Sequence, residues 1–217
     1  MRTSKDLDAV RRAGIDFVHD RLVDAGERGW AGFTARFTSP SPFILPGEFD
    51  DPHRFVAKLS YQGKSFASVP VEISSIEAGN SKQHDLLSSE ALALVGLPRT
   101  DAVPCMTVPW QVAQKLHACT DQPEPPRRND RAHDLVDLQL METLLPDDNL
   151  VDARAACSAV FEVRAKHAWP PIIVPQGHWE PIYRNAVDGL AHLGIAPSVG
   201  AAAARVQAFV RRIETSG

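Results

Sequence analysis

Long apolar runs, paired cysteines, a net positive charge and internal repeats are all missing from this sequence, and each absence narrows what the chain can be. No stretch approaches the roughly 18 consecutive apolar residues of a membrane span, and no apolar leader segment follows Met1. The three cysteines, Cys105, Cys119 and Cys157, are far apart and never in C-x-x-C spacing, which predicts free thiols in a reducing compartment. The reading is a soluble, cytoplasmic protein with no membrane partner. With 23 Lys and Arg against 27 Asp and Glu the formal net charge is -4. A nucleic-acid partner would therefore have to be held by a local basic patch against the overall repulsion.

What is present fits one large or two small globular domains: 217 residues, 44% of them hydrophobic, with 17 prolines placed between patterned segments as loop punctuation. From Asp8 to about Gly26, Val10, Ile15, Val18, Leu22 and Val23 recur at near-helical spacing, with Gly26 positioned as a stop. Short alternating runs follow in GWAGFTARFTS, HRFVAKLSYQG and KSFASVPVEISSIEAG. They predict strands, the second and third joined as a hairpin through Gln62-Gly63-Lys64. After Pro104 five segments in succession carry helical periodicity. The expected class is α+β, with a mixed sheet in residues 1–103 and an all-helical half in residues 104–217.

Four features could carry chemistry. Asp6 and Asp8 are spaced i, i+2, so on a strand both carboxylates share one face, where they need a cation or a proton between them. An exposed acidic turn or helix N-cap is the alternative. Glu72 interrupts the apolar alternation of SVPVEISSI and lies on the face opposite Val69, Val71 and Ile73. Beside the aspartates it would complete an oxygen cage suited to Mg²⁺; alone it is a solvent-facing glutamate. Lys115, in PWQVAQKLHA, flanks a helix stripe of Val112 and Leu116, and is either a solvated charge or a cation aimed at a triphosphate. In RNDRAHDLVDLQLM, Leu135, Leu138 and Met141 form a core stripe, while Arg131 precedes Asp134 by three and can pair with it on the helix surface. Asp137 follows Asp134 at i+3, and His133-Asp134 is also the doublet of metal phosphohydrolases.

In order along the chain, RTSKDLD, VEIS, AQKLHA and RAHDLVDL resemble the motifs of the AbiEii/AbiGii nucleotidyltransferase toxins, and RAKHAWPP and HWEPIYRN resemble that family's helical half. The resemblance covers almost the whole chain. It implies a polymerase-β-like nucleotidyltransferase domain in which Asp6, Asp8 and Glu72 hold Mg²⁺, Lys115 neutralises the nucleoside triphosphate, and Asp134 is the catalytic or orienting carboxylate, with Arg131 as partner of Asp134 or of a phosphate. In the mycobacterial, MenT-like branch, nucleotides are added to the 3′ end of tRNA and translation stops. The implied partners are tRNA or another RNA, a nucleoside triphosphate and a separately encoded antitoxin. Arg127 and Arg128, with Arg131, Arg11, Arg12, Lys58 and Lys64, are the cations assigned to RNA phosphates. The family pattern also calls for a Gly-Gly or Gly-Ser turn ahead of the first aspartate, whose N–H groups cradle the triphosphate. The residues before Asp6 do not supply it, so the expectation is either a start farther upstream or a weakened nucleotide site, including a catalytically inactive RNA- or partner-binding module. Ser4 could replace part of that contact, and its phosphorylation would put about -2 charge beside three carboxylates.

Overall fold

The computed structural model describes residues 6–43, 51–76, 84–88, 90–99 and 101–217. They divide into two compact units, residues 6–76 with Asp85–Cys105, and His84 with Met106–Gly217. The first unit contains β1 (Leu7–Arg11), α1 (Ile15–Arg28), β2 (Phe33–Phe37), β3 (Ser41–Pro42), β4 (His53–Tyr61) and β5 (Lys64–Ser75). Its sheet runs in the order β1-β5-β4-β2, with β3 paired to β4. β1 is parallel to β5, and the other pairings are antiparallel. A separate two-stranded sheet joins β6 (His84–Leu87) to β7 (Val103–Met106), with α2 (Glu90–Leu94) between them in sequence. The sequence pattern did not announce these three short elements.

Alternation sorts the main sheet into two faces. Phe55, Ala57, Val71 and Ile73 form a buried cluster with Ala9, Ile15, Val18, Leu22, Phe37 and Val69, so α1 covers this side. Asp8, Arg54 and Glu72 belong to the other side. β4 and β5 meet through Gln62 and Gly63, both at positive φ (47° and 78°), as a two-residue hairpin turn requires. The expected hairpin is therefore present.

The helix expected from Asp8 to Gly26 is corrected at both ends. Residues from Leu7 to Arg11 are a strand, because pairing with β5 satisfies their backbone and partly buries Ala9, and the helix begins only at Ile15. Val10, read as part of the helix stripe, lies exposed on the strand instead. Gly26 is not the stop. It is buried inside α1, where an added Cβ would lie 2.5 Å from the Ala35 carbonyl oxygen, so the missing side chain lets the helix approach β2. The chain leaves the helix at Gly29, whose φ of 68° suits glycine.

The second unit is helical: α3 (Val108–Thr120), a 3₁₀ turn (Arg131–His133) running into α4 (Asp134–Leu144), α5 (Leu150–Arg164), α6 (Trp179–Val187) and α7 (Val199–Thr215). Val112, Leu116, Leu135, Leu138, Val160, Trp179, Phe209 and Ile213 are among the residues buried in its core. Of the stripe expected on α4, Leu135 and Leu138 are fully buried and Met141 only half. The α+β arrangement expected from the sequence is the one observed. Among the described residues no helix is long and apolar enough to cross a membrane.

Candidate active site

The acidic positions of the front half meet through strand register. β1 and β5 run parallel with Asp8 opposite Glu72, so the two residues neighbour each other on the face away from α1. Asp6 lies two residues earlier, in the bend leading into β1. Across the next pairing Glu72 is opposite Arg54, whose Nε and Nη2 both donate to Glu72 Oε1, at 2.9 and 2.6 Å. The Arg54 side chain is 53% exposed and that of Glu72 33%, and the guanidinium carbon sits 4.6 Å from the centre of the Phe43 ring. This is an ion pair in water, of small net strength. Carboxylate oxygen is the donor type that Mg²⁺ takes, commonly from one or two side chains with phosphate oxygens completing the shell. Asp8 and Glu72 fit that use in kind and in position. Among the described residues no group of three His, Cys, Asp or Glu is gathered to hold a metal, and Glu72 would have to leave Arg54 to do so.

The second candidate cluster is in the helical unit. Lys115 Nζ donates to Asp134 Oδ1 at 3.0 Å and to Asp137 Oδ2 at 2.8 Å, which uses two of the three N–H bonds of the ammonium. Asp134 is buried, with its side chain 1% exposed, and Lys115 is 29% exposed. Lys115 is thus not a freely solvated helix charge. Burial disfavours its cation, but the Asp134 and Asp137 carboxylates outweigh that and raise its pKa above the ordinary 10.5. Arg131 and Asp134 do pair across i,i+3, but as a long ion pair without a hydrogen bond, because α4 turns Asp134 inward while Arg131 stays exposed: Arg131 Nη1 lies 4.0 Å from Asp134 Oδ2, and among the described residues that buried oxygen has no hydrogen-bond donor. His133 Nε2 is 3.6 Å from Asp134 Oδ1.

The remaining expected positions are scattered. Arg127 and Arg128 are exposed, and Arg128 pairs with Asp130 at 3.0 Å. Arg11 does not present its charge to solvent: its side chain, largely buried, donates to the carbonyls of Ala13 and Asp51 and to the Asp51 carboxylate. Lys58, Lys64 and Arg12 are exposed. Ser4 lies outside the described residues. Cys119 and Cys157 are buried, which pushes both thiols up and keeps them unreactive at neutral pH. An apolar cleft of about 630 Å³ lined by Leu7, Ala9, Val18, Leu22 and Val71 lies on the α1 side of the sheet, away from Asp8 and Glu72.

Two positioning residues escaped the sequence reading. Asn129 is buried and donates to the carbonyls of Ala118 and Asp121 at the end of α3, while its Oδ1 accepts from the Arg131 amide. The Trp179 indole N–H donates to the Asn129 carbonyl at 2.6 Å. These bonds fix the turn from which Asp134 enters its pocket. Gln139 binds Tyr183 Oη and the Ala196 amide, and Tyr183 donates to the Ala196 carbonyl, which ties α4 to α6. An Asn or Gln side chain carries no sequence mark of such a role.

Compared with models of protein families, residues 1–205 match the family described as nucleotidyl transferase AbiEii toxin, Type IV TA system. No curated protein matches the chain. The family match spans nearly the whole sequence, so the chain belongs to the AbiEii family of nucleotidyltransferase toxins of type IV toxin–antitoxin systems.

Proposed function

We propose, from that membership, that the protein transfers a nucleotide from a nucleoside triphosphate to an RNA 3′ end, the acceptor end of tRNA being the leading candidate, and thereby blocks translation in the cytoplasm. The observation that carries the reading is the register of β1 and β5, which makes Asp8 and Glu72 neighbours on an open sheet face. Asp8 and Glu72, with Asp6, would hold Mg²⁺, which when bound polarises the α-phosphate and stabilises the departing pyrophosphate. Because Glu72 is tied to Arg54 only by an exposed bridge, the exchange of partners costs little. Lys115 is the cation proposed for nucleotide phosphate, oriented by Asp134 and Asp137, and Arg131 is the second cation proposed for phosphate. Such catalysis rests on positioning and charge and needs no strong protein nucleophile. An antitoxin encoded elsewhere would counter it. Phosphorylation of Ser4 would add charge of the wrong sign near Asp6 and Asp8 and switch the enzyme off; a Ser4→Glu variant of full activity would refute that part.

The test is incubation with labelled nucleoside triphosphates, Mg²⁺ and total RNA. Label enters RNA with the wild-type protein and is lost, by a factor of about 10³ or more, in Asp8→Ala and Glu72→Gln. Absence of transfer with every nucleotide rejects the reading in favour of a catalytically silent RNA- or partner-binding module. Phosphate release without transfer would instead favour a phosphohydrolase built on His133 and Asp134.

A further inference from the structure

The sheet face that carries Asp8 and Glu72 also carries a pair of cations that the fold itself does not use. On β2 and β4 Arg36 and Lys58 are register partners, so they stand directly opposite each other on this face. Both are exposed, and neither has a carboxylate partner among the described residues. Like charges placed opposite across an antiparallel pair repel each other, and their cost is relieved by an anion that binds both. Hydroxyls lie beside and beyond them on the same face, where Ser68 is the register partner of Lys58 on β5 and Thr34 pairs with Ser60 on the next row, while Val56 and Pro70 form the row between Lys58 and Arg54. Arg54, on β4, continues the line toward Glu72.

We propose that Arg36 and Lys58, with Thr34 and Ser68, bind the phosphodiester backbone of the acceptor RNA and lead its 3′ end toward Asp8 and Glu72. The inference rests on the transfer reading above for the direction of the strand, and on the register alone for the binding surface. Spacing selects the ligand. Lys58 lies four residues along β4 from Arg54, or about 13 Å at a strand rise of about 3.3 Å per residue. The three adjoining phosphates of a nucleotide cannot span from that row to Glu72; successive phosphates of a strand can. The contacts proposed run to the charged backbone, so the grip is sequence-independent and sensitive to salt.

Binding of a fluorescent single-stranded RNA is measured without nucleotide or Mg²⁺ across a salt series, for the wild type and for Arg36→Gln/Lys58→Gln. The double variant is expected to bind at least 10-fold more weakly at low salt, with the slope of log affinity against log salt reduced by about 1.4, since each single-strand phosphate contact contributes about 0.7. Arg21→Gln/Arg211→Gln, which removes the same charge from exposed positions off this face, is expected to retain the wild-type slope. Thermal melting checks folding: with the repulsive pair gone, Arg36→Gln/Lys58→Gln melts no lower than wild type. Unchanged affinity and slope in Arg36→Gln/Lys58→Gln overturn the proposal and leave the two cations as guards of an edge strand. An equal loss in Arg21→Gln/Arg211→Gln also overturns it, because any basic surface would then serve. A reduced slope in a protein that transfers no nucleotide upholds the track while the transfer reading fails.

Discussion

Glu72 with Arg54 and Asp134 with Lys115 are the same pairing of carboxylate and cation set in two different solvents. On the sheet the pair lies in water, where its partners are half exposed and either can be exchanged for a phosphate or a cation at small cost. In the helical unit Asp134 is enclosed, Lys115 answers both it and Asp137, and loss of one member leaves a charge with no water to receive it. The sheet pair is therefore held loosely. The rear half holds its charges as fixed parts of a core.

The largest effect should come from Lys115→Met, which among the described residues leaves Asp134 with Arg131 at 4.0 Å and His133 at 3.6 Å. A loss of about 3 kcal/mol is expected in denaturant unfolding, at the lower end of the range for a broken buried pair because Arg131 remains. A loss below about 1 kcal/mol would dissolve the contrast between the two pairs. Gly26→Ala should cost about 1–3 kcal/mol by forcing α1 off β2, which would make the intolerant point of the sheet unit steric and not electrostatic.

A third test uses pH. Burial is the main cause that lowers His117 to about 3, with Arg164, His167 and Lys166 adding to it, and His167 is lowered for the same leading reason. The folded state thus disfavours the charged form of both rings, while the unfolded chain takes up protons near 6.5. The contribution of His117 to stability is complete above that value and is lost as pH falls from about 6.5 toward 3, and His167 acts in the same direction, because the unfolded state binds more protons. Unfolding between pH 8 and 4 should show this decline, and His117→Phe should flatten it by up to one proton. Smallest is Glu72→Gln, expected to change stability by less than about 1 kcal/mol while abolishing label transfer. If it destabilised as strongly as Lys115→Met, the sheet pair would be structural as well.

The hairpin and the helical rear were legible because each rests on local signals: Gln62-Gly63 between alternating runs, and apolar positions at helical spacing in segments such as VDARAACSAVFEVRAKHA. The start of the chain was misread for a reason of the same kind. Val10 and Ile15 agree with a helical period, but β1 forms because β5 offers it a backbone ladder, and local spacing carries no record of a strand sixty residues away. Gly26 looked like punctuation and proved to be a point of close approach, which depends on β2.

The same division runs through the candidate site. Spacing marked Asp6, Asp8, Glu72, Lys115 and Asp134 one by one, because carboxylates at i, i+2 and a charge inside an apolar alternation are visible in one dimension, and it was the resemblance to the AbiEii toxins that grouped them. Register decided that Asp8 stands beside Glu72 and that Arg54 holds Glu72, and helix packing decided that Asp134 is buried and binds Lys115. Asn129, Arg36 and the pairing of Arg36 with Lys58 had no sequence signal at all. Backbone pairing and burial are relations between distant segments, so the strength of a charge, its partner and its exposure to water are set only when the chain has folded.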